Sequence, residues 1–252
     1  MKYVKKSMRI IFSISLIFIS IVTAIELAVY ADYGYFEKEY KKYNVNAEDS
    51  IVNMDMDELM RVTKEMMSYL RGDREDLIIY AEIDGKNVEF FNDLEKFHME
   101  DVRNLFVTAE FLRAMCVVLM ILSATVLALI SEKVVKRIAK TVMWSIGIFN
   151  TIVIILALII SIDFTSAFEV FHKMFFNNDA WILDPSTDRL INIVPEGFFI
   201  DTAIRIVIIY FILNLLNFTI AFLLYRGKIK NTGRENATKN TLTQDGGTYE
   251  QG

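Results

Sequence analysis

Residues 111–162 read FLRAMCVVLMILSATVLALI, then SEKVVKRIAKTV, then MWSIGIFNTIVIILALIISI. The first and last blocks, 111–130 and 143–162, are apolar and long enough to cross a bilayer core, which takes about 20 helical residues. The middle block, 131–142, carries Lys133, Lys136, Arg137 and Lys140 against a single acid, Glu132. Lys and Arg in short loops stay on the cytoplasmic side. The stretch therefore reads as two membrane-spanning helices joined by a cytoplasmic link.

Two further runs of the same kind lie outward of it, at 10–30 and 204–224. Residues 1–9 carry Lys2, Lys5, Lys6 and Arg9, and the tail 225–252 carries Arg226, Lys228, Lys230 and Arg234, so both termini are expected in the cytoplasm. The segments 31–110 and 163–203 are then extracytoplasmic. Residues 10–30 also resemble a signal peptide, with a basic start and small residues ending at Ala31. Their apolar stretch exceeds the usual 7–15 residues or so of a signal core, which favours a retained anchor. The tail after Lys230, rich in Asn, Thr, Gly and Gln, is expected to be disordered. The fold class expected is an all-α membrane protein, a four-transmembrane-helix bundle with a small extracytoplasmic α+β cap.

That cap is read from residues 31–110. Met56, Leu59, Met60, Val62, Met66, Met67 and Leu70 recur at helical spacing, and Gly72 supplies a stop. Leu77–Ile83 and Asn87–Phe91 are rich in β-formers and flank Asp84-Gly85-Lys86, which predicts a hairpin. The segment 163–203 is acidic and holds both prolines, with Trp181 among several phenylalanines. Such aromatics suit headgroup level and could form a lipid-contacting wall.

The chain has two histidines, His98 and His172, and both fall outside the spans. His98 lies 13 residues before Phe111, and His172 lies 10 residues after Ile162. If the helices run straight, both imidazoles stand about 15–20 Å beyond the hydrocarbon edge, and so at matching heights. Asp101 shares a helical face with His98 and could orient it. Incidental surface histidines are the competing reading. Within the fourth span, Arg205, Asn214 and Asn217 are expensive if they face lipid. The two asparagines read as helix–helix hydrogen bonding. Arg205 could snorkel, pair with Asp201, or hold a phosphate or oxyanion. Glu26 in the first span has the same ambiguity.

A zinc site would need a third ligand, Asp101 or Asp184, and no HExxH or paired-cysteine spacing exists. The single cysteine, Cys116, lies in an apolar run and reads as packing. No basic stripe with interleaved aromatics points to nucleic acid, and the net charge is -5. The bland alternative for the whole chain is a non-enzymatic membrane binding, sensory or transporter-accessory protein. Four spans without a clear repeat make a transporter the weakest reading.

Two stretches carry a family resemblance: His98-Met99-Glu100-Asp101-Val102, and Phe171-His172 followed by Phe175, Trp181, Asp184, Asp188-Arg189-Leu190-Ile191, Pro195-Glu196 and Phe198-Phe199. With them the chain resembles the lipoprotein intramolecular transacylases, four-helix membrane proteins of Gram-positive bacteria. The resemblance implies an O-to-N acyl shift within one lipid-modified protein. The sn-2 acyl chain of a diacylglyceryl lipoprotein would move to the α-amine of its N-terminal cysteine, giving the lyso-form. It implies His98 and His172 as catalytic residues, and a lipoprotein N-terminus and membrane lipid as partners. No cofactor or metal is needed. Asp101, Trp181, Asp184, Asp188, Arg189 and Arg205 stand as candidate substrate-binding residues.

Overall fold

The computed structural model describes residues 1–245, and side chains through residue 227. The protein is mostly helical. It contains α1 (Lys2–Tyr30), α2 (Gly34–Lys42), α3 (Met56–Arg71), β1 (Tyr80–Ile83), β2 (Lys86–Glu89) and α4 (Asp93–Ile130), then α5 (Val134–Ile162), α6 (Phe164–Phe175), α7 (Arg189–Ile193) and α8 (Glu196–Asp245). The disorder expected of the tail concerns residues whose side chains, and from 246 the backbone, lie outside the described residues. Among the described residues, α1, α4, α5 and α8 are the four helices long and apolar enough to cross a membrane. Only 6% of the apolar window of α5 is buried within the protein. Leu156, Leu158 and Ile159 are more than half exposed. A helix this apolar and this bare needs a hydrocarbon solvent, because an apolar surface of that extent is unstable in water.

The chain packs as two compact units. One is made of Met1–Ile19, Cys116–Ile152 and the chain from Phe211 onward. Its small core is Ala139, Val142, Ile146 and Ala221, with Phe12, Leu16 and Tyr225 against it. The Lys136 ammonium sits 4.9 Å from the centre of the Tyr225 ring. Cys116 is half-buried and unpaired, as expected for a lone thiol.

The other unit comprises Ser20–Met115 and Val153–Tyr210. The apolar face of α3 (Leu59, Val62, Met66, Met67, Leu70) packs in one core with Phe36 and Tyr40 of α2 and with Ala81 and Ile83 of β1. Leu190, Ile193 and Phe198 complete that core. Residues far apart in sequence, 36–99 and 190–198, thus share one apolar interior. The buried Tyr40 hydroxyl is satisfied by Thr63 Oγ1 at 2.8 Å.

Local signals account for the boundaries. Gly72 takes φ 87, and with the Asp73 N–H on the Ser68 carbonyl and the Gly72 N–H on the Tyr69 carbonyl it closes α3. The hairpin is tighter than expected: Lys86 pairs with Ile83 in the ladder, leaving Asp84-Gly85 as a two-residue turn. Both turn residues have positive φ, 51 and 71, as the twist of a short hairpin demands. Helix α4 opens on a reciprocal cap. The Glu95 N–H donates to Asn92 Oδ1 at 2.9 Å, and the Asn92 N–H donates to Glu95 Oε2 at 2.7 Å.

Asn92 also donates from Nδ2 to Asp188 Oδ1 at 2.7 Å. Replacing Asn92 with Ala removes the cap acceptor and that link together. The expected result is a stability loss of about 1–2 kcal/mol. Asn92→Ser, which keeps a cap acceptor, should recover part of it. Thermal unfolding of the purified protein in detergent reads both; an unchanged Tm for the Ala variant would remove the cap from this account.

Candidate active site

His98 stands in the second turn of α4, on the rigid footing of the Asn92–Glu95 cap. The apolar span within that helix begins only at Phe111. His172 stands on α6, which is not a straight continuation of α5. The chain breaks at Asp163, whose φ of -150 and ψ of 91 are extended. Asp163 Oδ1 then accepts the Ser166 N–H at 3.0 Å and Oδ2 accepts the Ser166 hydroxyl at 2.6 Å, starting a new helix. The straight helix assumed for the height of His172 is therefore interrupted at Asp163.

The two imidazole rings lie 5.9 Å apart between centroids, at 36°. Both histidines are buried. Phe176 meets His98 edge-on at 5.4 Å and lies 5.5 Å from His172. Trp181 stacks on His172 at 4.9 Å and 29°, and Phe168 lies 4.1 Å from the same ring. The site is a pair of imidazoles enclosed by aromatic faces.

His172 Nδ1 lies 2.7 Å from the Phe168 carbonyl oxygen. A carbonyl only accepts, so Nδ1 carries the hydrogen, and the lone pair of the neutral ring is on Nε2. Burial holds this imidazole below its ordinary pKa, and the hydrogen bond to Phe168 opposes that. His98 is depressed further, to about 4, first by burial and then by the neighbouring His172, while Asp101 works the other way. His98 Nδ1 is buried without a hydrogen-bond partner among the described residues. At neutral pH the site holds two uncharged imidazoles.

Asp101 does not hydrogen-bond His98. Its Oδ2 accepts from Asn178 Nδ2 at 2.8 Å, while Asn178 Oδ1 accepts the Ala180 N–H at 3.0 Å. Asp101 thereby fastens the segment carrying Trp181 to α4. The other acidic candidates lie in the following loop, where each accepts from the loop's backbone while Asp188 also accepts from Asn92. Asp184 Oδ1 accepts the Ser186 N–H at 2.8 Å, and the buried Asp188 accepts the Asp184 N–H at 2.6 Å. Arg189 Nη1 donates to the Phe90 carbonyl at 3.0 Å. Sequence reasoning missed Glu95, which is fully buried and whose Oε1 accepts the Leu190 N–H at 2.5 Å. Burial pushes its carboxyl up, and the two N–H donors oppose that shift. The Asn92-x-x-Glu95 spacing was the available signal.

Arg205 is set against a different group of residues. Its guanidinium lies 4.0 Å from the centre of the Tyr35 ring, whereas Asp201, one of the partners considered for it, pairs with Lys42 and accepts the Tyr43 hydroxyl at 2.6 Å. Glu26 forms an ion pair with Arg113. Asn214 is buried on α8. Among the described residues no cluster of three or more His, Cys, Asp or Glu is placed to hold a metal ion.

Comparison with known proteins adds a family. The family model described as lipoprotein intramolecular transacylase Lit matches residues 10–199. A protein of Aquifex aeolicus (strain VF5), described as uncharacterized, is 29% identical over 208 residues, covering 81% of this chain and 90% of its own length. The in meso structure of the membrane integral lipoprotein intramolecular transacylase Lit from Bacillus cereus aligns with a TM-score of 0.75 at 21% identity, over 91% of this chain and all of the other. A variant of that protein with one histidine replaced by alanine aligns with a TM-score of 0.69. At that identity the structural likeness speaks for the fold.

Because the chain has two histidines, imidazole nitrogen resonances of the labelled protein resolve the protonation of the pair directly. On lowering the pH from about 7 to about 5, a free imidazole of pKa near 6.5 becomes cationic. His98 is expected to stay neutral over that range, and His172 to show the Nδ1–H tautomer. A His98 imidazolium appearing near pH 6.5 would contradict the burial argument. The sign for stability follows. The unfolded state takes up protons below about pH 6.5 that folded His98 refuses until about pH 4. This residue's contribution is therefore complete above pH 6.5 and is lost as the pH falls through that window.

Proposed function

The chain belongs to the lipoprotein intramolecular transacylase family, and on that premise we propose that it moves the sn-2 acyl chain of a diacylglyceryl lipoprotein to the α-amine of its N-terminal cysteine. The observation that carries this reading is the pair of buried, neutral imidazoles 5.9 Å apart, one with its tautomer held by a backbone carbonyl.

The chemistry follows from the two environments. The α-amine nitrogen attacks the ester carbonyl carbon and must lose a proton as the C–N bond forms. His172 suits the base, because its Nδ1–H is engaged by Phe168 and its Nε2 lone pair remains to accept. His98, with a pKa of about 4, is a poor proton acceptor at neutral pH. It suits the neutral hydrogen-bond donor to the oxyanion of the tetrahedral intermediate. Collapse of that intermediate breaks the C–O bond, and the proton on His172 Nε2 passes to the departing glyceryl oxygen. One ester is consumed, while one amide and one hydroxyl form. Donor and acceptor belong to one molecule, so positioning replaces an external nucleophile. The aromatic faces of Phe168, Phe176 and Trp181 provide an apolar wall for the acyl group and limit water, which would otherwise hydrolyse the ester. Asp101 acts as a positioning residue through Asn178, and Asp184, Asp188 and Arg189 shape the loop below Trp181.

In this reading the site faces the extracytoplasmic leaflet, where the lipoprotein ester lies, with both termini in the cytoplasm. The basic link 131–142 supports that orientation. The mixed segment 31–110 then forms the extracytoplasmic cap.

Purified protein in liposomes is to be incubated with a synthetic diacylglyceryl lipopeptide and the product sequenced by tandem mass spectrometry. The total mass should stay constant while one acyl group moves to the N-terminus. His172→Ala should slow the shift by about 10²–10⁴-fold, the usual contribution of a general base, and His98→Ala should cost a comparable factor. The rate should rise with pH to about 8 as the amine loses its proton. An untouched lipopeptide, with the protein folded and a control enzyme active on the same substrate, would refute the assignment.

A further inference from the structure

A cavity of about 340 Å³, separate from the histidine pair, is lined by Tyr35, Glu39 and Lys42 from α2 and by Asp201, Arg205 and the neighbouring isoleucines on α8. Its charged groups are unequally engaged. Lys42 forms an ion pair with Asp201, which also accepts the Tyr43 hydroxyl. Glu39 is buried and hydrogen-bonds Asp201, with burial and that carboxylate holding its own carboxyl above the usual range.

Arg205 remains. Its guanidinium is half-buried and makes no hydrogen bond or ion pair among the described residues; it rests only on the face of Tyr35 at 4.0 Å. That ring is held in turn by the Tyr35 hydroxyl and Thr202 Oγ1, 2.9 Å apart. A guanidinium has five N–H donors in a planar fork, and among the described residues those of Arg205 are left to take a two-oxygen anion. On the same wall, Ile204 and Ile208 are exposed by 53% and 54% at the start of the apolar run 204–224. A positive fork above an exposed aliphatic strip matches an amphiphile. An isolated phosphate ion would gain nothing from the strip.

We propose that this cavity binds the phosphodiester of a membrane phospholipid, with the phosphate on Arg205 and the acyl chains along Ile204 and Ile208. The site goes beyond the acyl transfer proposed above, because a diacylglyceryl thioether carries no phosphate. The phospholipid bound there would be a resident lipid that fixes the depth of α8 and α2 at the headgroup boundary.

Native mass spectrometry of the full-length protein in neutral detergent tests this, with phosphatidylglycerol, diacylglycerol of the same chains and inorganic phosphate as probes. Phosphatidylglycerol adducts should survive, diacylglycerol should give none above background, and inorganic phosphate should not displace the lipid. Arg205→Gln should weaken retention about tenfold, the scale of a lost charge-assisted bidentate contact. Arg205→Lys, which preserves the charge and so guards against a folding defect, should retain less lipid than the parent. Equal retention by both variants, equal diacylglycerol adducts, or displacement by inorganic phosphate would each overturn the proposal. The readout needs no turnover, so its failure and that of the transacylase assignment are separate results.

Discussion

The buried Glu95 carboxyl group holds the part of the molecule that carries the histidine pair in register. One oxygen accepts the Asn92 N–H and starts α4; the other accepts the Leu190 N–H and fixes α7. A carboxylate without solvent is tolerated only when its oxygens are occupied, and here two backbone donors occupy them. Everything near the histidines inherits that constraint. The start of α4 places His98, and Asn92 reaches across to Asp188, which in turn organises the loop between Trp181 and α7. The chain therefore closes a polar knot between groups 95 and 96 residues apart in sequence, beside an aromatic chamber.

The chamber itself turns on desolvation. Two imidazoles in water would titrate near 6.5 and spend part of their time charged. Enclosed by Phe168, Phe176 and Trp181, and beside each other, they are held neutral. In the proposed chemistry that neutrality divides the labour: the ring with its Nδ1–H on Phe168 has one defined acceptor nitrogen, and the ring pushed down to about 4 would serve as donor, with no serine or cysteine nucleophile called for.

Sequence reasoning reached the helix over Asp55–Leu70, its glycine stop and the hairpin, because each rests on short-range rules: apolar spacing, a residue that tolerates positive φ, and a two-residue turn. It singled out both histidines from their scarcity, their place outside the spans and the motifs around them. Where spacing along one helix offered a possible partner, tertiary packing supplied a different one. Asp101, one turn from His98, is drawn off by Asn178 across the fold; Asp201, one turn from Arg205, is drawn off by Lys42 and Tyr43. A neighbour on the same helix competes with every donor that tertiary packing brings up, and helical periodicity contains no information about those donors.

The amino-acid sequence by itself determined that four apolar runs of membrane-spanning length exist and that the two histidines lie outside those runs, since hydrocarbon length and side-chain polarity are properties of composition and order. The tertiary structure alone decided how close the imidazoles come. The height argument assumed straight helices, but Asp163 ends α5 and caps a new helix through Ser166, redirecting the chain that carries His172. It also decided the tautomer of His172 and the burial that keeps both rings neutral. Those depend on which carbonyl and which aromatic faces surround a ring, and such surroundings arise only when distant segments pack together.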